Sequence, residues 1–371
     1  MTLESPAPGA HIKGGYYNRV MGVKVHKTKV EKPASRKMYH KLAKLVGLAK
    51  KKQPHSDAQE YILRIPRDGA VYMEYDIATL EFAALRVPHT VLYPVPEVVM
   101  YDITADNALG HGYMLQDRMP GRSLEEVWST LNNAQKKSAA RGVCQAVVNM
   151  HSITNPCAGI ISRRNALVNL VSGGQVEPMP IPSRLIRHHA LVPWSNTDYT
   201  TSEPTDEFLL SLCKRQRKYK QAHSDFVFTT IWARFEKMIN KLQELEFFDD
   251  NDRFHFYHGD FYPRNLLVEV IDESSVQLTG ILDWDSAAFV PKFMSTRAPF
   301  FLWADDDAFE EEESDVLITT PDNPEKLEYK RIFEEIAGED FVRASYTPEY
   351  ILARRMYYIL TRGVNRGQES R

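Results

Sequence analysis

Two short β-rich runs constrain the fold of this chain more than any other feature. Leu266 to Val270 and Val276 to Leu282 are joined by the polar loop Asp272-Glu273-Ser274-Ser275, which predicts an antiparallel hairpin. Asn265 comes directly before the first run, and Asp283 comes directly after the second. Because the open end of a hairpin brings its two termini together, these two side chains are predicted to lie close to each other.

An aspartate lies close to this pair in the sequence. Asp260 precedes Asn265 in the run His258-Gly259-Asp260-Phe261-Tyr262-Pro263-Arg264-Asn265, where Gly259 and Pro263 turn and stiffen the chain. Three oxygen-bearing side chains are therefore predicted to converge. An amide and a carboxylate suit Mg²⁺, because hard cations take oxygen ligands. A further carboxylate that does not bind metal can accept a proton from an attacking hydroxyl.

These residues resemble a known family. His258-Gly259-Asp260 with Asn265, followed by Ile281-Leu282-Asp283-Trp284, is similar to the signature pair of the aminoglycoside phosphotransferase and choline kinase group. Pro291-Lys292-Phe293 and Arg297-Ala298-Pro299 resemble its fungal branch. The resemblance implies an α+β, protein-kinase-like fold of two lobes: a small β-rich N-lobe and a larger, mainly helical C-lobe.

The resemblance also implies a reaction and roles for these residues. ATP would donate its γ-phosphate to a hydroxyl of a small molecule. Asp260 would be the catalytic acceptor of the hydroxyl proton, Asn265 and Asp283 would bind Mg²⁺, and Asp285 would support the metal site.

Two neighbours of the catalytic aspartate have competing interpretations. For His258 we favour a role in fixing the backbone over acid or base chemistry. Arg264 is either a surface side chain or a charge near the transferred phosphoryl group, and both remain open.

The nucleotide end of the site departs from the family pattern. In the family, a strand lysine contacts the phosphates and pairs with a helix glutamate; by position these are Arg64 and Asp76 here. Arginine keeps the charge but changes the contact geometry. Glu74 or Glu81 remains an alternative partner for Arg64.

Two further segments complete the expected nucleotide site. Gly14 and Gly15 would form a turn that covers the phosphates, because glycine lets backbone amides approach phosphate oxygens. The adenine would lie against backbone groups of Gln116 to Met119.

The order of patterns along the chain predicts where the lobes divide. At 371 residues the chain exceeds what one hydrophobic core usually serves. We expect an N-lobe over residues 1–118, with a basic insertion at about 24–58, and a C-lobe over 119–371 that carries the catalytic loop, the metal site and a helical substrate cap. Ser123 with Glu126 predicts a capping box at the first helix of the C-lobe.

Composition excludes several classes of partner and site. The formal net charge is only -3, so we expect no nucleic-acid partner, and no stretch has the length and apolarity of a membrane span. The three cysteines form no C-x-x-C pair, which fits a reducing, cytoplasmic setting. The expected partner is a small-molecule substrate, while the oligomeric state is not determined by the sequence.

Three other segments can be explained without a specific function, and we prefer that explanation. The basic insertion and the acidic run at 305–315 are typical of solvated surface segments. Four aromatic residues between 155 and 254 either line the substrate cap or belong to the core: Trp194, Tyr199, Phe208 and Tyr219.

Alternative functions differ in how well they agree with the sequence motifs. A protein kinase is disfavoured because no glycine follows two residues after Asp283 and no Ala-Pro-Glu closes an activation segment. A metal-dependent hydrolase lacks further histidines at ligand spacing. The main alternative is a nucleotide-binding pseudokinase with a sensing or scaffolding role, which Arg64 and Asp76 favour. The acceptor itself remains open among antibiotics, choline-like amines, sugars and secondary metabolites.

Overall fold

The computed structural model of the chain describes residues 18–26, 58–67, 73–86, 95–161, 176–181, 202–223, 229–248, 253–304 and 313–363. The chain divides into two compact units. The first comprises Met1–Met73 and Glu97–Arg118, and the second comprises Glu74–Pro96 and Met119–Arg371. Most of the basic insertion, most of the acidic run, and both Trp194 and Tyr199 lie outside the described residues.

The described part of the first unit is one antiparallel sheet. Its strands are β1 (Asn18–His26), β2 (Ala58–Pro66), β3 (Val98–Asp102) and β4 (Tyr113–Asp117). They pair in the order β1-β2-β4-β3. β-Branched and aromatic residues favour the pleated backbone of these segments.

The second unit is mainly helical. Its helices are α1 (Met73–Arg86), α2 (Leu124–Val127), α3 (Asn133–His151), α4 (Thr205–His223), α5 (Thr229–Glu244), α6 (Lys292–Ser295), α7 (Glu313–Ile318), α8 (Pro324–Ala337), α9 (Glu339–Tyr346) and α10 (Pro348–Arg362). Its strands are β5 (Arg122–Ser123), β6 (Thr154–Asn155), β7 (Ile160–Ile161), β8 (Val176–Glu177), β9 (Phe254–Tyr257), β10 (Leu266–Val270), β11 (Val276–Ile281) and β12 (Ala288–Val290). The larger sheets have the orders β11-β10-β5 and β12-β9-β6, and β7 pairs with β8.

An aromatic cluster ties α1 to the second unit. Phe82 on α1 lies edge-on to Phe256 of β9 and Phe289 of β12, with ring centroids 5.1 and 5.7 Å apart. Trp284 stacks on Phe256 with ring centroids 5.8 Å apart. All four side chains are buried, and edge-to-face pairs of this kind stabilise a core beyond their buried area. Residues 74–96 therefore group with the second unit although they precede the predicted lobe boundary.

The predicted hairpin forms within one residue of its expected bounds, as β10 and β11. Its loop is bonded to the start of α3. Asn132 Nδ2 donates to the carbonyl oxygen of Glu273 at 2.8 Å, and Gln135 Nε2 donates to that of Asp272 at 3.0 Å. The hairpin is thus held at its loop end by a helix terminus.

One expected helix cap is wrong. Ser123 makes no side-chain capping bond; its hydroxyl instead donates to the carbonyl oxygen of Pro263 at 3.4 Å. Glu126 is turned outward to Arg122, 3.6 Å away. The complete capping box lies at Asn132 and Gln135, where each side chain accepts from the other residue's backbone N–H at 3.0 Å.

β3 and β4 are antiparallel neighbours, and β4 runs from Tyr113 to Asp117. No helix among the described residues combines the length and apolarity needed to cross a membrane.

A buried ionic cluster joins α7, α10 and the segment that follows α6 in the second unit. Glu313, at the start of α7, accepts from Arg354 Nε of α10 at 2.8 Å and from Arg297 Nε at 3.1 Å. Arg354 also donates to the carbonyl oxygens of Phe293 and Ser345 at 3.0 and 2.7 Å. Its side chain is fully buried, so these bonds replace its lost hydration.

We predict that Glu313→Gln lowers the free energy of unfolding by about 3 kcal/mol, because two buried guanidinium groups would lose their shared counter-charge. Urea unfolding would measure the change. Glu339→Gln removes the same charge from an exposed position in the first turn of α9 and should leave stability unchanged within about 0.5 kcal/mol. Equal effects of the two substitutions would contradict a structural role for the cluster.

Candidate active site

The loop that follows β9 is set by a glycine. Gly259 has φ = 79°, in the left-handed region. A Cβ atom on it would lie 2.3 Å from the carbonyl oxygen of Ser286, so another residue would clash as well as strain the backbone. The loop therefore packs directly against the 3₁₀ turn Trp284–Ser286, which follows β11.

Asp260 and Asn265 are in direct contact. Asn265 Nδ2 donates to Asp260 Oδ2 at 2.7 Å and to the Asp260 carbonyl oxygen at 2.9 Å. Arg264 Nη2 donates to Asp260 Oδ1, and its guanidinium lies over the ring of Tyr262 at 4.7 Å. Both oxygens of the Asp260 carboxylate are thus oriented by neighbours in the same loop, so Arg264 is more than an unattached surface side chain.

The loop is bonded to the end of the hairpin through Leu282. The Leu282 N–H donates to the carbonyl oxygen of Asn265 at 2.8 Å, and His258 Nε2 lies 2.9 Å from the Leu282 carbonyl oxygen. His258 Nδ1 accepts from the backbone N–H of Asp260 at 3.2 Å, so Nε2 carries the proton. Burial lowers the pKa of His258 to about 4. A neutral histidine therefore fixes the backbone on both sides of the site.

Asp283 has an unusual backbone conformation. Its φ and ψ are 62° and 59°, which an aspartate adopts more readily than most residues but at some cost. Trp284 is buried next to it and donates from Nε1 to the Ile281 carbonyl oxygen at 2.8 Å. The chain thus turns sharply out of β11, with Trp284 directed into the core and Asp283 exposed.

The donor set at this end of the hairpin suits Mg²⁺. Both Nδ2 protons of Asn265 are used on Asp260, which leaves Oδ1 as its remaining polar atom. With the Asp283 carboxylate, this makes one amide oxygen and one carboxylate, a set that Mg²⁺ binds together with phosphates and water. The described residues contain no cluster of three His, Cys, Asp or Glu side chains that could hold a metal ion without ligands from phosphate or water.

The first unit carries two of the predicted nucleotide contacts. Arg64 is buried in β2, where it pairs with Val20 of β1 and Met114 of β4. Gln116 is buried in β4, and its Oε1 has no hydrogen-bond partner among the described residues. An unsatisfied buried acceptor of this kind is costly unless a ligand or water donates to it.

The second unit carries two others. Asp76 lies half-buried in the first turn of α1, next to Tyr75, whose hydroxyl donates to Glu177 Oε2 at 2.8 Å. Met119 lies over Gly280 of β11; a Cβ atom on that glycine would be 3.1 Å from the Met119 Cβ. Gly14 and Gly15 lie outside the described residues.

The sequence did not reveal the side chains that surround Tyr262. Arg297 Nη1 donates to the Tyr262 hydroxyl at 3.2 Å, and the Arg297 guanidinium lies over the ring of Phe300 at 5.0 Å. The run Arg297-Ala298-Pro299 marked this segment only as a family resemblance. Its contact with the loop that bears Asp260 depends on tertiary packing that no local pattern encodes.

A comparison with protein-family models identifies the chain. The model described as "Phosphotransferase enzyme family" matches residues 51–291, which is more than half of the sequence. The chain belongs to this phosphotransferase family. Membership confirms the predicted family and enzyme class. Together with the β-rich first unit and the mainly helical second unit, it confirms the predicted protein-kinase-like fold.

Individual relatives of this phosphotransferase family member are distant. Two subtelomeric hrmA-associated cluster proteins from strains of the fungus Aspergillus fumigatus are 34% identical over 87 residues, 22% of this chain. The aligned part spans only 16% of the length of these curated relatives.

The similar solved structures are also distant in sequence. A thermostable mutant of aminoglycoside phosphotransferase APH(4)-Ia, in a ternary complex with AMP-PNP and hygromycin B, is 15% identical, with a TM-score of 0.42 over 81% of this chain and 79% of that chain. A GDP complex of aminoglycoside 2'-phosphotransferase-IIIa is 12% identical, with a TM-score of 0.40 over 89% and 91% of the two chains. The family assignment rests on the match over residues 51–291.

Buried histidines make stability depend on pH. Burial, together with the stacked ring of His255 at 3.9 Å, lowers the pKa of His151 to about 3, and His258 is lowered to about 4. In the unfolded chain both titrate near their usual value of about 6.5. Below that pH the unfolded state binds more protons than the folded state, so stability is present above about pH 6.5 and is lost as pH falls.

We predict that the urea concentration at the unfolding midpoint decreases when the pH is lowered from 7.5 to 5. His151→Gln should make this decrease smaller, because it removes one of the two buried histidines that cause it. His111→Gln changes an exposed histidine on a loop and should leave the difference at its wild-type size. An equal pH difference in all three proteins would contradict the assignment.

Proposed function

We propose that the protein is a Mg²⁺-dependent phosphotransferase that moves the γ-phosphate of ATP to a hydroxyl of a small metabolite or antibiotic-like molecule. The observation that carries this proposal is the joining of Asp260 and Asn265 to the end of β11 through Leu282. These bonds support a site at the open end of the hairpin, where Asp260 would be the catalytic carboxylate and Asn265 and Asp283 would supply oxygen ligands to the metal.

The reaction can be written with named roles. The acceptor hydroxyl oxygen forms a bond to the γ-phosphorus, while the bond from that phosphorus to the β,γ-bridging oxygen breaks and its electron pair leaves with ADP. The hydroxyl proton passes to Asp260. Because little covalent chemistry is required of the protein, catalysis depends mainly on the position of the acceptor and on stabilisation of charge.

Asn265 and Asp283 would hold the metal ion. Bound Mg²⁺ neutralises charge that develops on the phosphate oxygens. The chain's own contribution is the orientation of the two ligands: Asn265 by its bonds to Asp260, and Asp283 by the fixed backbone of Leu282 and the buried Trp284. Asp285, in the same 3₁₀ turn as Trp284, would support this end of the site.

The nucleotide contacts belong to the proposal as well. Arg64 would meet phosphate oxygens, Asp76 would be its acidic partner, and backbone groups from Gln116 to Met119 would receive the adenine, with Gly14 and Gly15 over the phosphates. The buried Oε1 of Gln116 supports a polar ligand at this strand. The departures at Arg64 and Asp76 leave a pseudokinase as the alternative, and metal dependence separates the two.

Asp260→Asn tests the catalytic role. We expect kcat to fall roughly 10²- to 10⁴-fold with ATP affinity retained, because the amide cannot accept the hydroxyl proton. A coupled assay of ADP release, run with an acceptor found by screening hydroxylated metabolites, measures this. Glu269→Gln, an exposed change on β10, is the control and should keep wild-type kcat. A wild-type rate in Asp260→Asn would remove Asp260 from the mechanism.

Asp283→Gly tests the metal site without straining the backbone, because glycine adopts the φ of 62° freely. Calorimetry should show that Mg²⁺ tightens ATP binding to the wild type and that this gain falls at least tenfold in the variant. Affinity for ATP without Mg²⁺ should be similar in the two proteins. Metal-indifferent ATP binding by the wild type would favour the pseudokinase, and an unchanged gain in Asp283→Gly would place the metal elsewhere.

A further inference from the structure

Arg264 lies directly on the proposed catalytic carboxylate. Its Nη2 donates to Asp260 Oδ1, and its guanidinium lies over the ring of Tyr262, 4.7 Å from the centroid. Neither Nε nor Nη1 of Arg264 has a hydrogen-bond partner among the residues that the structure describes. An arginine with unused donors is thus placed where the hydroxyl proton would be accepted.

Orientation of Asp260 does not depend on this arginine alone. Asn265 Nδ2 already donates to Asp260 Oδ2 at 2.7 Å and to the Asp260 carbonyl oxygen at 2.9 Å. In phosphoryl transfer the protein has little covalent chemistry to perform, and its main task besides positioning is to stabilise charge on the transferred group. Arg264 is therefore considered as a source of that charge.

The position of Asp260 limits where the transferred phosphoryl group can lie. An acceptor hydroxyl oxygen bonded to the carboxylate lies about 2.7 Å from it, and the γ-phosphorus lies roughly 3 to 3.5 Å from that oxygen before reaction. The phosphorus is then within about 6 Å of the carboxylate that Arg264 contacts. The phosphoryl oxygens would be within reach of the remaining guanidinium donors.

The ion pair is open enough to admit a phosphate oxygen. The side chain of Arg264 is 50% exposed and that of Asp260 is 26% exposed. Ion pairs this close to solvent contribute little stability, so a small shift of the guanidinium toward phosphate is not opposed by the loss of a strong contact. The planar fork of arginine also donates to two acceptors from different nitrogens at once.

A second arginine next to Tyr262 is already committed to the fold. Arg297 donates from Nε to Glu313 at 3.1 Å and from Nη1 to the Tyr262 hydroxyl at 3.2 Å, and its side chain is only 9% exposed. Its charge is balanced by a buried carboxylate. Of these two arginines, Arg264 is the one suited to meet a phosphoryl group.

Arg264 and Asn265 approach Asp260 from its two oxygens. They are consecutive residues of the 3₁₀ turn Pro263–Asn265, and Arg264 contacts Oδ1 whereas Asn265 contacts Oδ2. In the proposed reaction Asn265 also holds Mg²⁺, so the metal ion and the guanidinium would lie on either side of the reacting hydroxyl. Charge spread over the equatorial phosphoryl oxygens would then be met by both.

We propose that Arg264 is a catalytic residue that donates hydrogen bonds to oxygens of the transferred phosphoryl group. This inference rests on the proposed phosphotransferase function and adds a second source of positive charge to it. Arg264 stays protonated throughout. The hydroxyl proton still passes to Asp260, and the electron pair of the broken bond from phosphorus to the bridging oxygen still leaves with ADP.

Arg264→Met tests the contribution of the charge, because it keeps an unbranched stem and removes the guanidinium. ADP release from MgATP, with an acceptor found by screening or with water alone, should show kcat lowered roughly 10³-fold. Calorimetry should show MgATP affinity changed by less than about threefold, because the contact strengthens in the transition state. Arg264→Lys keeps the charge without the fork and should be at least tenfold faster than Arg264→Met.

Arg122→Met is the matched control. Arg122 also forms an exposed ion pair at spacing i,i+4, with Glu126 at 3.6 Å, and its variant should keep wild-type kcat. Wild-type kcat in Arg264→Met would overturn the inference. Equal rates in Arg264→Lys and Arg264→Met would also overturn it, because they would show that charge is not what Arg264 contributes.

Aluminium fluoride with MgADP separates contact with the phosphoryl group from an effect exerted through Asp260. It imitates the transferred group and requires no proton transfer. We expect aluminium fluoride to tighten MgADP binding to the wild type and to Arg122→Met, and this gain to fall at least tenfold in Arg264→Met. An equal gain in the wild type and Arg264→Met, including no gain in either, would overturn the contact.

The proposed function is judged by the wild type alone. If the wild type binds ATP in a Mg²⁺-dependent way and turns it over, and Arg264→Met does so equally well, this inference fails and the proposed function stands. If the wild type shows no Mg²⁺-dependent ATP binding, the proposed function fails, and the role of Arg264 in it fails as well.

Discussion

The geometry of the candidate site depends on one residue whose side chain takes no part in it. Leu282 has its N–H bonded to Asn265 and its carbonyl oxygen bonded to His258, so the chain leaving β11 is held against the loop that leaves β9. Each bond is individually worth about 1 kcal/mol. Their importance is geometric, because together they fix the position of the Asp283 backbone relative to Asn265.

A buried histidine serves this purpose better than an apolar residue would. His258 accepts on one nitrogen and donates on the other, so it satisfies the Asp260 amide and the Leu282 carbonyl at once. Burial keeps the ring neutral, which preserves this pair of opposite bonding roles. A protonated ring would donate from both nitrogens and would repel the amide N–H. The site's shape is therefore linked to the charge state of a residue that has no chemical role in the proposed reaction.

The sequence predicted the parts of the site that depend on local patterns. The hairpin bounds followed from two β-rich runs, and the convergence of its flanking residues followed from antiparallel geometry. The preference for His258 as a residue that fixes the backbone agrees with its two bonds to main-chain groups. The roles of Asp260, Asn265 and Asp283 in chemistry remain predictions.

Other features required the fold. The Ser123 cap failed because its hydroxyl found a partner at Pro263, 140 positions away in the chain, and no local rule includes that competitor. The sequence could not decide whether the Arg264 side chain contacts Asp260 or is solvated, since both arrangements fit the sequence equally. Phe208 is part of the core, where it packs against Phe254 with ring centroids 5.4 Å apart. The pattern of aromatic residues could not separate this outcome from a substrate wall.

The bonds between α3 and the hairpin loop have a consequence for motion. Asn132 and Gln135 secure the loop end, and Ser138 adds bonds of 3.1 Å to both backbone groups of Val276. With Leu282 secured at the opposite end, the hairpin has no free terminus about which to pivot. Amide hydrogens along β11 should exchange with solvent on the timescale of global unfolding rather than of local opening. We therefore expect the hairpin to serve as a fixed frame of reference, with motion confined to other segments.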